Sequence, residues 1–152
     1  MTQVPNGVGV FVRNHKSLLN RGCGRRSVYR SQIRWSGARE LLASHSQVQL
    51  YACANGSDGI VQFAGRLLAV ELDPTDASMA AVMRKLAAKD PARKFKEGLW
   101  NGRCKTLYVV ELEHLAKPFS MTELVKLSDG APISADYGYS YSLVRARIQP
   151  ET

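Results

Sequence analysis

Three observations predict an α+β domain whose strands curl into a small mixed β-barrel flanked by short helices. Alternating or β-branched runs recur from one end of the chain to the other, helical periodicity is confined to short stretches between them, and Gly65 interrupts one of the longer runs where a closing sheet must bend. With 152 residues and 45% hydrophobic content the chain suits one domain over 1–152 with its own core.

VGVFVR (8–13), after the turn signal PNG, reads as the first strand. The basic, glycine-punctuated stretch at about 14–34 reads as a long loop or insertion. Ser36 is placed to start a short helix through Glu40 and Leu42. QVQLYACA (47–54) and GIVQFAGRLLAVEL (59–72) flank NGSDG and read as a hairpin, with Gly65 marking a bulge or bend.

Met79, Val82, Met83 and Leu86 recur at helical spacing and stop before Pro91, the clearest amphipathic helix of the chain. ARKFKEGLWNGRC reads as a loop and KTLYVVELEHL (105–115) as a strand. Ser120 and Glu123 then form an S-x-x-E capping box for a short helix, and GYSYSLVRARI reads as a closing strand.

The net charge of +8 is unevenly placed. Residues 1–50 carry eight basic side chains against the single acid Glu40, and 51–152 carry thirteen against twelve. Seven of the front eight are arginines, whose planar guanidinium suits bidentate contact with phosphates and base edges. Nucleic acid is therefore the expected partner. No basic amphipathic helix and no long apolar run is readable, so a membrane partner is not expected. Cys23, Cys53 and Cys104 stand alone without a CxxC pair or clustered histidines. That spacing favours neither zinc nor a disulfide framework, and a reduced cytoplasmic setting without cofactor or metal is expected.

RWSGAREL (34–41), VQLYACA (48–54), FAGRLLAVELDP (63–74), TLYVVELEHLAKPFSMTELVKL (106–127) and YSLVRARIQPE (141–151) follow one another as motifs do in the EVE domain. That family belongs to the PUA-like group, with the YTH and ASCH domains, and the resemblance spans most of residues 30–150. It implies a PUA-like fold and a non-catalytic reader that receives a modified, flipped-out base in an aromatic pocket. The resemblance further implies that the strand is DNA, favoured over RNA, and that the reader serves a modification-dependent defence system alongside a separate nuclease or effector.

Trp35, with Ser36 beside it, matches the family's tryptophan and is the candidate stacking wall; taken alone it reads as a buried anchor, and the resemblance brings the two readings level. Trp100 is a second candidate face, or a peripheral packing residue. Tyr51 and Tyr139 complete the candidate pocket, although tyrosines on strands commonly serve sheet packing. Arg21, Arg25, Arg26, Arg30, Arg34, Arg39 and Arg103 are the candidate phosphate contacts, the alternative being a solvated basic loop.

No catalytic residue is assigned. The pair Glu111 and Glu113 near Lys117 lacks a partnering Asp. Lys105, Thr106 and Glu111 outline a small ASCH-type amidohydrolase acting on a modified nucleoside, which is one alternative function. A basic module that docks on an acidic protein is the other.

Overall fold

Two strands that run parallel lie at the heart of the sheet in this computed structural model, which describes residues 7–91, 104–134 and 141–147. β1 (Val8–Asn14) pairs with β3 (Val48–Ala54) in parallel, Val8 opposite Val48 and Asn14 opposite Ala54. Two parallel neighbours need a crossover. Here the chain between them forms α1 (Lys16–Gly22), β2 (Arg26–Ser31) and α2 (Ser36–Ser44).

β3 turns back into β4 (Ile60–Leu72), the hairpin read from NGSDG, with Gly56, Asp58 and Gly59 at φ of 80°, 55° and 74°. α3 (Asp76–Leu86), β5 (Thr106–Ser120), a 3-10 turn at Met121–Glu123 and β6 (Tyr141–Arg145) complete the fold. The strand order is β2-β5-β4-β3-β1-β6, and every pairing other than β1 with β3 is antiparallel.

Several expectations are corrected. The sheet is open: β2 and β6 are its two edges and do not meet, so the predicted barrel closure is absent. The stretch at 14–34 is not a loop. α1 has neither a side-chain cap nor an acidic residue in its first turn, and it forms because Leu19 is fully buried and Gly22 lies against the Tyr29 hydroxyl. β2 was hidden by its flanking arginines, but Val28 and Tyr29 supply its buried centre, and all six residues pair with β5.

Gly65 is not itself a bulge. The register shifts fall between Val61 and Phe63 and between Leu67 and Ala69, and a Cβ on Gly65 would run into the Glu111 carbonyl of the neighbouring strand. Its role is close backbone approach.

Helix starts differ as well. Ser36 is the first residue of α2 and Trp35 occupies the cap position, with no capping side chain. Ser120 takes the Thr122 amide over a single 3-10 turn, so no Ser120–Glu123 box forms. The reciprocal box lies on α3: Thr75 Oγ1 accepts from the Ser78 amide at 3.1 Å, and Ser78 Oγ accepts from the Thr75 amide at 2.7 Å. α3 runs as its periodicity predicts and ends at Ala87 in the left-handed region.

The sheet has helices on both faces. Trp35, Ala38 and Leu19 pack with Tyr29, Tyr108, Val110 and Leu112 on one. Met79 of α3 packs with Val28, Leu107 and Val109 on the other.

Candidate functional site

Alternation along β2 and β5 sends Tyr29 and Tyr108, directly paired in register, to the face covered by α1 and α2. Their rings stack with centroids 5.6 Å apart. Trp35 stacks on Tyr108 at 4.0 Å and on Tyr141 of β6 at 4.6 Å, planes 20° and 19° from parallel. The four rings Tyr29, Tyr108, Trp35 and Tyr141 therefore make one continuous column from one sheet edge to the other, with favourable offset-stacking energies of about 0.5–1.5 kcal/mol per contact.

Thr106 fixes the centre of the column. Fully buried, its Oγ1 accepts from the Trp35 amide at 3.0 Å and donates to the Ile33 carbonyl at 2.7 Å. Tyr141 Oη accepts from the Ala38 amide at 3.2 Å, and the Tyr29 hydroxyl donates to the Leu18 carbonyl at 2.9 Å. Trp35 is 1% exposed, and its indole Nε1–H has no hydrogen-bond partner among the described residues. Burial pushes the Tyr29 and Tyr108 phenols well above the usual tyrosine range, so both stay neutral.

Beside the column opens a cleft of about 680 Å³, lined by Tyr29, Trp35 and Tyr108 and by Arg13, Arg21 and Arg30 from β1, α1 and β2. Its size falls within the few hundred to one thousand Å³ typical of small-molecule sites. Asn14, His15 and Asp90 also contribute to the wall.

A second cleft of about 390 Å³ borders the β3–β4 turn and shares Arg13 and Asn55 with the first. Arg13 donates to Met121 Sδ at 3.0 Å and lies 5.9 Å from the Phe11 ring centroid, and among the described residues no carboxylate pairs with it. A half-buried guanidinium beside a thioether and a ring suits an anion.

The residues singled out from sequence are distributed unevenly around this site. Trp35, Arg21 and Arg30 line the first cleft, Arg21 also donating to the Pro91 carbonyl at 3.0 Å. Ser36 accepts from Arg34, which also pairs with Asp73 at 3.1 Å. Arg26 shares Glu111 with Arg66, and Arg25 and Arg39 are exposed away from the lining. Tyr51 belongs to another core cluster, where its hydroxyl is bonded to the Arg147 backbone, and it does not line the cleft. Trp100, Arg103 and Tyr139 lie outside the described residues.

Arg13, Asn14, Tyr29 and Tyr108 were missed as site residues. Arg13 was visible only as part of the basic front, and the tyrosines only as strand residues.

The amidohydrolase set is not assembled. Thr106 Oγ1 is spent on Trp35 and Ile33, Glu111 is held by Arg26 and Arg66, and five residues along one strand place the two on opposite faces, roughly 17 Å apart. Among the described residues no group of His, Cys, Asp or Glu side chains is placed to hold a metal ion. No helix there is long and apolar enough to cross a membrane.

No protein-family profile and no curated protein sequence matches the chain. Among solved structures it is similar to the YTH domain of the Zygosaccharomyces rouxii MRB1 protein, determined in complex with N6-methyladenosine RNA. The TM-score is 0.52 at 9% identity, over 96% of this chain and 84% of that one. The fold is therefore YTH-like.

Proposed function

We propose that this chain is a non-catalytic reader of nucleic acid that holds a modified base, turned out of its strand, in the cleft beside Trp35 and Tyr108. The observation that carries the reading is that Arg13, Arg21 and Arg30, from three separate elements, line a cleft walled by an aromatic column. Aromatic rings supply faces and edges that suit a planar base, and guanidinium groups suit the phosphates on either side of it.

The YTH-like fold and the EVE-type motif order both support this assignment, within the PUA-like group. In it Trp35 anchors the base wall, with Trp100 and Tyr139 as further pocket residues, and the strand is DNA serving a modification-dependent defence system. Methylated RNA is the second reading, favoured by the RNA in the complex of the neighbouring YTH domain.

The test is a fluorescence anisotropy titration at two salt concentrations, with matched single- and double-stranded DNA and RNA carrying plain or methylated bases. A preference for one modified strand, with affinity falling as salt rises, is the expected result. Salt-sensitive binding indifferent to modification would overturn the reading and leave a basic module that attracts polyanions.

A further inference from the structure

The hydrogen bonds around Tyr108 have a direction. The His15 backbone amide donates to Asn14 Oδ1 at 2.8 Å, which fixes the Asn14 amide so that its Nδ2 faces Tyr108. Asn14 Nδ2 then donates to Tyr108 Oη at 3.2 Å. The phenol therefore receives a hydrogen bond from Asn14, and its own proton must go elsewhere. Tyr108 has no acceptor for that proton among the described residues. Alongside it, the Trp35 indole N–H is buried without a partner among the described residues. Both side chains line the 680 Å³ cleft, their rings stacked at 4.0 Å. Neighbouring Tyr29 has no such freedom, because its hydroxyl already donates to Leu18. Buried donors are rarely left unspent in folded proteins.

Resting on the base-reading function proposed above, we infer that Tyr108 Oη is a specificity-determining donor, set by Asn14, and that the ligand is a base presenting a ring-nitrogen or carbonyl acceptor edge to it. Desolvation keeps the Tyr108 phenol protonated throughout the physiological range, so this donor does not switch with pH. A substituent that blocks the acceptor edge is rejected, whereas one elsewhere on the base is tolerated.

The experiment uses the full chain and single strands carrying methylated adenine or methylated cytosine at the centre, the tighter strand being taken forward. Its analogues replace one acceptor at a time, CH for ring nitrogen or hydrogen for the carbonyl oxygen. Wild type is expected to lose about tenfold in affinity on one of these analogues. Tyr108→Phe, which keeps the stack, loses the same factor on the parent strand and nothing further on that analogue. Asn14→Asp presents a carboxylate that accepts the Tyr108 proton, and it abolishes the discrimination between parent and analogue.

Tyr108→Phe binding as wild type, or analogues that all bind as the parent, would overturn the assignment while leaving the reader function standing. If Tyr108→Phe proves poorly folded, the analogue series on wild type decides the matter. If neither methylated strand exceeds its plain counterpart, the reader function fails and this assignment with it.

Discussion

Thr106 Oγ1 accepts the backbone amide of Trp35 at 3.0 Å and thereby ties the first strand position of β5 to the entrance of α2. The same hydroxyl donates to the Ile33 carbonyl, so one small side chain satisfies two backbone groups at the centre of the aromatic column. Thr106→Val keeps the shape and orphans both. A loss of about 2–4 kcal/mol in urea unfolding is expected, with weaker oligonucleotide binding by the folded fraction as Trp35 shifts. Unchanged stability would show that the link is dispensable.

Trp35 touches Tyr108 on one face and Tyr141 on the other, and is buried. Trp35→Ala is expected to cost about 3–5 kcal/mol, because two rings lose a common neighbour and the cavity cannot collapse onto a rigid sheet. Trp35→Phe should cost less than half of that. Chemical denaturation of the three proteins in parallel checks the order.

Gly65 sits where β4 and β5 come together, and a methyl group there would meet the Glu111 carbonyl, which is backbone and cannot swing aside. Gly65→Ala should therefore cost about 3 kcal/mol or more, through displacement of the strand pair. A thermal melt shifted by less than a degree or two would contradict the close approach.

Arg13 lines both clefts and has no carboxylate partner among the described residues, whereas Arg25 is exposed and outside either lining. Arg13→Gln is expected to weaken binding at every ionic strength and to reduce the slope of log affinity against log salt by about 1. Arg25→Gln should leave that slope nearly unchanged, and equal effects from both would mean that charge acts without a defined site.

The fold should resist neutral and mildly alkaline pH and fail above it. Burial raises the Tyr29, Tyr51 and Tyr108 phenols and the Cys104 thiol, and pushes Cys23 up to about 11. A raised folded value means stability that is whole below the unfolded value, about 8.5 for a thiol and 10 for a phenol, and is lost as pH climbs through the folded one. Urea midpoints should stay level from pH 7 to about 8.5 and fall progressively beyond, steeply past pH 10. A midpoint that rises with pH there has the wrong sign.

Sequence alone determined what depends on neighbours along the chain. The α+β class, the hairpin at NGSDG, the helix carrying Met79 and the basic front follow from turn chemistry, periodicity and charge counting, which act within a few residues. Tertiary structure decided the rest. α1 and β2 exist because Leu19 and Tyr29 are buried by partners far away in the chain, and no local propensity announces them. The sheet stays open because β2 and β6 end at opposite edges, a matter of topology and not of any single strand.

The site divides in the same way. Trp35, Arg21 and Arg30 were legible as an aromatic set among arginines. Tyr108, Tyr29, Arg13 and Asn14 join them only when the folded sheet brings β5, β2 and β1 to one cleft, because strand alternation records which face a residue takes and not what it meets there.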